Sequence, residues 1–135
     1  MSSAATVGIV LVSHSAALAE GAAELAGQIG GGTVPIIPAG GTEDGGIGTS
    51  SAKVERSLRL ADAGAGVVIL PDLGSAVLTV RALLAEPRDD LPQSVALADA
   101  PFVEGLVAAT VAAATGADVK AVLAAAEEAR HARKL

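Results

Sequence analysis

An imidazole, a glycine-rich stretch and two carboxylates are the parts of this sequence that could do chemistry. His14 lies between Ser13 and Ser15, immediately after the apolar run Val7–Val12. A neutral imidazole is one of the few side chains that can take a phosphoryl group covalently near neutral pH. The stretch from Ala39 to Ser50 reads AGGTEDGGIGTS, and its backbone amides could hold a phosphate or another anion. Asp72 and Asp99 supply the carboxylates. An aspartate bonded to one ring nitrogen leaves the other free to attack, and Asp72 is placed to do this for His14. Ser13, Ser15 and Thr42 could donate hydrogen bonds to phosphoryl oxygens. Each feature also has a plainer explanation. His14 could be a solvent-exposed turn residue, the glycines a flexible turn, and Asp72 a turn residue or cap.

Composition removes many rival chemistries. The chain has no Cys, which excludes disulfides, thiolate metal sites and Cys nucleophiles. Its two histidines lie far apart in sequence, and zinc sites need three or four ligands, so no metal site is expected. The glycine-rich stretch is not closed by Gly-Lys-Ser or Gly-Lys-Thr, and His14 stands where a dinucleotide fingerprint would follow the first strand. Lys53 falls inside a helix and reads as a surface charge. A net charge of -6 and aromatic content of 1% argue against nucleic-acid binding by a basic face or by base stacking. Mean hydropathy is high at +0.55. Yet no apolar run approaches the roughly 18 residues that a spanning helix needs. The Ser-His-Ser interruption and the lack of Lys or Arg before Lys53 argue against a signal peptide. A soluble chain in a reducing compartment, the cytoplasm, is the expectation.

The elements that must position these residues follow from apolar pattern and punctuation. Val7–Val12 is short, rich in β-branched residues and unbroken by charge, as in a strand buried on both faces. A helix follows from Ala16, with Leu18, Ala22, Leu25 and Ile29 on one face, and stops at Gly30-Gly31-Gly32. A second strand is read over 33–37, ending at Pro38. Thr49, Ser50 or Ser51 caps the next helix, which runs to about residue 63 with Val54, Leu58 and Ala61 inward. Residues 66–70 form a third strand. Ser75 is read as the cap of a helix over 76–85. Residues 94–97 form a fourth strand. Pro101 opens a helix with Val103, Leu106, Val107, Thr110 and Val111 inward. Asp118 caps the last helix. This β-α-β-α-β-α-β-α-α order predicts a single α/β domain over residues 1–135, with 1–6 as a flexible leader. The architecture is a three-layer α/β/α sandwich around a mainly parallel four-stranded sheet. Loops leaving strand ends gather on one edge, which brings His14, the glycine-rich stretch, Asp72 and Asp99 together.

Four stretches in this order, VGIVLVSHS with LAEG, AGGTEDGGIGTS, LPDLGSA and DAPFVEG, resemble the mannose-type EIIA domains of the bacterial phosphotransferase system. Within that family they look most like the DhaM branch, which serves phosphotransferase-dependent dihydroxyacetone kinases. The resemblance runs from about Val7 to Gly116 and becomes unspecific in the Ala-rich last helix. It implies that His14 is phosphorylated at Nε2 and that Asp72 orients it. It implies that Thr42, Asp44, Gly48 and Thr49, with Ser75, line the phosphoryl site. It further implies phospho-HPr as donor, ADP on the DhaL subunit as acceptor with DhaK beyond it, and a homodimer. No cofactor is implied on this chain itself. Ending at Leu135, the chain would need a separate HPr. Alternatives are the EIIA component of a mannose-type sugar transporter, a phosphorylation-responsive regulatory domain, and a tetrapyrrole metal chelatase.

Overall fold

The architecture follows from two parallel strands that are buried on both faces. In a computed structural model describing residues 5–135, β1 (Gly8–Ser13) and β3 (Val67–Pro71) are buried at every position. They pair directly, with Val10 opposite Ile69. Side chains alternate across a strand. Ile9, Leu11, Val68 and Leu70 therefore enter one core layer, while Val10, Val12, Val67 and Ile69 enter the other. Both layers need apolar residues, which is why these strands read as unbroken apolar runs. β2 (Ile36–Gly40) flanks β1, and β4 (Val95–Leu97) flanks β3, giving the all-parallel order β2-β1-β3-β4.

Helices α1 (Ala16–Ile29), α4 (Phe102–Ala114) and α5 (Val119–Glu128) cover one face. Helices α2 (Ser51–Ala61) and α3 (Gly74–Leu84) cover the other. The result is the expected three-layer sandwich. The expected leader falls mostly outside the described residues; Ala5 and Thr6 precede β1 without regular structure.

Several local expectations shift. The second strand lies over Ile36–Gly40 rather than 33–37, and Pro38 sits inside it, opposite Leu11. An edge strand tolerates a residue without an N–H. The face of α1 also differs. Ala19, Ala22 and Ala26 are its buried residues, while Leu18, Leu25 and Ile29 are each 46% exposed. Close approach explains this. A Cβ on Gly40 would stand 2.5 Å from the Ser15 carbonyl oxygen and 2.9 Å from Ala19 Cβ. The helix lies so near β2 that only small residues fit beneath it, and the larger aliphatic side chains move to the flanks. In α4, Gly105, Ala109 and Ala113 join Leu106 and Thr110 inside, and Val103 and Val111 are exposed. Pro101 takes the N-cap position rather than the first helical one. Ser50 and Asp118 cap α2 and α5, accepting from Lys53 N (3.2 Å) and Ala121 N (2.9 Å).

Candidate active site

The order β2-β1-β3-β4 reverses between β1 and β3. The loop after β1 leads into a helix on one face, and the loop after β3 into a helix on the other. A crevice at the carboxyl ends of the strands results at this switch point, the usual ligand position in open α/β sheets. His14 follows β1 and Asp72 follows β3, so the two meet there.

Asp72 gathers the site. Its Oδ1 is 2.9 Å from His14 Nδ1, and its Oδ2 accepts from the His14 backbone N–H (3.0 Å) and from Ser13 Oγ (2.9 Å). Oδ1 also accepts from Leu73 N (2.7 Å). Burial pushes the Asp72 carboxyl up. The backbone N–H of His14, its ring, the Ser13 hydroxyl and the Leu73 N–H outweigh that, and hold it below the ordinary carboxylate value. An ionised carboxylate only accepts, so the ring proton belongs on Nδ1 and the lone pair on Nε2. Nε2 meets the Ser75 hydroxyl, which donates to it. The imidazole is thus held by one nitrogen and presents the other.

Ser13 does not donate toward a phosphoryl group. It is fully buried, its proton goes to Asp72, and its oxygen accepts from Ser15 N (3.0 Å). It orients the carboxylate that orients the ring. Ser15 caps α1, accepting from Leu18 N at 3.2 Å. Ser75 is not the cap of α3. The cap position is Leu73, which offers no side-chain acceptor, and Ser75 sits in the first turn facing His14.

The glycine-rich loop folds on itself. Thr42 donates its hydroxyl to Asp44, and Gly46 N donates to Thr42 Oγ1 (2.9 Å) and Asp44 Oδ1 (3.3 Å). The Thr42 hydroxyl and Gly46 N–H hold the Asp44 carboxyl below its ordinary value. Backbone bonds run from Thr42 N to Gly46 O (3.0 Å) and from Gly45 N to Thr42 O (3.0 Å). Gly41 N donates to Ser13 O (3.0 Å) and Gly48 N to His14 O (2.9 Å). These amides are spent within the protein, and those of Gly41 and Gly48 hold the loop as a wall against the β1–α1 turn. The left-handed φ values at Gly41 (75°), Gly45 (87°) and Gly48 (146°) explain why glycine fills those positions. Thr42 and Asp44 bond to each other instead of reaching toward Nε2. Thr49 bonds to Thr79 Oγ1 on α3 (2.8 Å), a partner that the sequence analysis missed. The signal was present, because Thr79 stands four residues after Ser75, on the same helix face.

Asp99 does not join the group. Its side chain is 91% exposed and lies 3.4 Å from Arg130. Its backbone N–H donates to Glu127 Oε2 (3.0 Å), and its carbonyl accepts from Arg130. A cavity of about 400 Å³ separates it from the imidazole side, lined by Asp72, Val77, Arg81 and Asp99 but not by His14. Three apolar side chains on the segments that carry the site are exposed: Ile47 80%, Leu73 62% and Leu78 67%. Among the described residues, no group of three or more His, Cys, Asp or Glu side chains could hold a metal ion.

The family model EIIA-man, described as the PTS system fructose IIA component, matches residues 8–123. The chain belongs to this family. His14, Asp72, Ser75 and the glycine-rich loop all fall within the match. Among curated proteins, DhaM, the phosphoryl donor subunit of PEP-dependent dihydroxyacetone kinase, is similar in several organisms. The Providencia stuartii and Escherichia coli proteins are 37% and 38% identical over 95% and 87% of this chain. This chain spans 28% and 25% of their lengths. The DhaM of kinase 2 from Listeria innocua is 34% identical over 87% of this chain, which spans 94% of it. The crystal structure of EF1359, a protein of unknown function, shares the fold. Its TM-score is 0.80 at 32% identity, covering 92% of this chain and 95% of that one. Among the described residues, no helix is long and apolar enough to cross a membrane.

Proposed function

We propose that this EIIA-man domain is a phosphoryl carrier of a phosphoenolpyruvate-dependent dihydroxyacetone kinase, with His14 Nε2 as the carrying atom. The supporting observation is the bond between His14 Nδ1 and Asp72, which leaves the lone pair on Nε2, met by the Ser75 hydroxyl at the switch point. In the accepting step, Nε2 attacks the phosphorus of phospho-HPr. The donor N–P bond breaks as the new P–N bond forms, and the donor imidazole leaves with the electron pair. Asp72 stabilises the ring as charge builds on it. The Ser75 hydroxyl then turns from Nε2 to a phosphoryl oxygen. The first turn of α3, which lacks a side-chain cap, supplies backbone donors to the same group.

Delivery runs through the same atom. The terminal phosphate oxygen of ADP, held on DhaL with DhaK downstream, attacks phosphorus, and Nε2 leaves with the pair. The nucleotide belongs to the partner; this chain supplies only the phosphohistidine. Exposed Ile47, Leu73 and Leu78, on the segments that carry the site, suit protein partners better than a small molecule. The names of the curated relatives favour DhaL as acceptor over a sugar-transporter EIIB.

The test is reconstitution. Phosphoenolpyruvate, enzyme I and HPr are expected to label this chain with phosphate, and ADP with DhaL to discharge it. His14→Gln is expected to take no label. Label on that variant would remove His14 from the mechanism. A labelled parent that a transporter EIIB discharges, and DhaL does not, would move the chain to sugar transport.

A further inference from the structure

We infer that Thr79 is a positioning residue for phosphoryl transfer, closing with Thr49 a ring of hydrogen bonds around His14. This rests on the carrier function proposed above. Three segments wall the imidazole: the β1–α1 turn, the glycine-rich loop, and the β3–α3 turn with the first turns of α3. Asp72 ties the first to the third through Ser13 Oγ, His14 N and His14 Nδ1. Gly41 N and Gly48 N tie the first to the second through the carbonyls of Ser13 and His14. Between the second and third, Thr49–Thr79 at 2.8 Å is the one hydrogen bond among the described residues.

Proton counting sets its direction. Thr79 Oγ1 donates to the Ser75 carbonyl, one turn back, at 3.1 Å. Having one proton, it must accept from Thr49. A mid-helix threonine often returns its hydroxyl to the carbonyl four residues earlier. The second bond, to a different segment, is what makes this one a strut. The strut ends on Ser75, whose hydroxyl meets Nε2. At its other end Thr49 follows Gly48, whose N–H holds the His14 carbonyl. Both threonines are half-buried, which limits competition from water. Neither touches the ring. Their effect on transfer would run through the placement of Ser75 and of the loop wall.

Thr49→Val, Thr79→Val, the double variant and Thr79→Ser test this in rapid-mixing transfer from phospho-HPr. Each valine is expected to lower the saturating rate about 3- to 10-fold, the scale of one hydrogen bond. Half-saturation by phospho-HPr should stay within about twofold, because binding is not what the strut controls. The double variant should be no slower than either single one, since both remove the same bond. Thr79→Ser should keep the parental rate. Additive losses, a parental rate in either valine variant, or a serine variant as slow as valine would overturn the inference. His14→Gln in the same assay separates the two ideas. Label on it defeats His14 as the carrying residue, whereas an unlabelled His14→Gln beside a parental Thr79→Val defeats only the strut.

Discussion

Asp72 and Asp99 leave the ends of adjacent strands on one edge of one sheet, yet their circumstances have little in common. Asp72 is largely buried and accepts bonds from Ser13, His14 and Leu73, holding an imidazole. Asp99 is exposed, and what holds it is the C-terminal helical segment, through Glu127 and Arg130. Strand order accounts for the difference. β3 lies beside β1, and β4 lies one strand farther away, so the loop after β4 sits roughly 10 Å from the loop after β1. A carboxylate at the right edge is therefore not enough; it must also follow a strand next to the one that carries the histidine.

The contrast breaks most sharply in Asp72→Ala. Four donors, from Ser13, the His14 backbone, the His14 ring and the Leu73 backbone, would lose their acceptor. The transfer rate is expected to drop roughly 10- to 100-fold as the ring loses its orientation. Stability should fall by about 1–3 kcal/mol. Parental kinetics in Asp72→Ala, measured by rapid quench, would show that ring orientation does not limit transfer.

A second, smaller effect appears in acid. The Asp72 carboxyl is held below its ordinary value in the fold, so the unfolded chain binds its proton first as pH falls. Its contribution to stability is complete above about pH 4, the unfolded value, and is lost as pH drops through the lower folded value. Urea titrations between neutral and strongly acid pH should show a steep decline for the parent and a shallower one for Asp72→Asn. Asp44, Asp90 and Glu104, also held low, keep some decline in the variant. Identical slopes in the two proteins would refute a stabilising role for the ionised carboxylate.

The smallest effect is expected at the other carboxylate. Arg130→Ala removes the clamp on Asp99, an exposed contact of the kind that contributes little. The melting temperature should move by no more than about 3 °C. Phosphoryl transfer should be unchanged. A slowed transfer in this variant would mean that the two carboxylates are coupled across the cavity between them, and the contrast would have to be redrawn.

Much of this was readable in advance, for local reasons. The β/α alternation follows from apolar period. The ends of α1 and α4 follow from Gly30 and Gly116, and the starts of α2 and α5 from Ser50 and Asp118, because turns and caps depend on neighbouring residues. The conjunction of His14, Asp72 and a glycine-rich loop was visible too, as types and order. Other features were out of reach. Leu18, Leu25 and Ile29 look like the inner face of α1, but the closeness of α1 to β2 buries alanines instead. Ser75 looks like a helix cap, but its hydroxyl has a better partner in His14. Ser13 and Thr42 look like donors to a ligand, but Asp72 and Asp44 take their protons. In each case a contact distant in sequence, or a carboxylate brought close, outbid the local preference. Which chemistry this chain could attempt was written in its residue types. Which carboxylate serves the histidine, and which hydroxyls remain for a ligand, was decided by strand order and helix seating, since hydrogen bonds form only between groups that packing brings within about 3 Å.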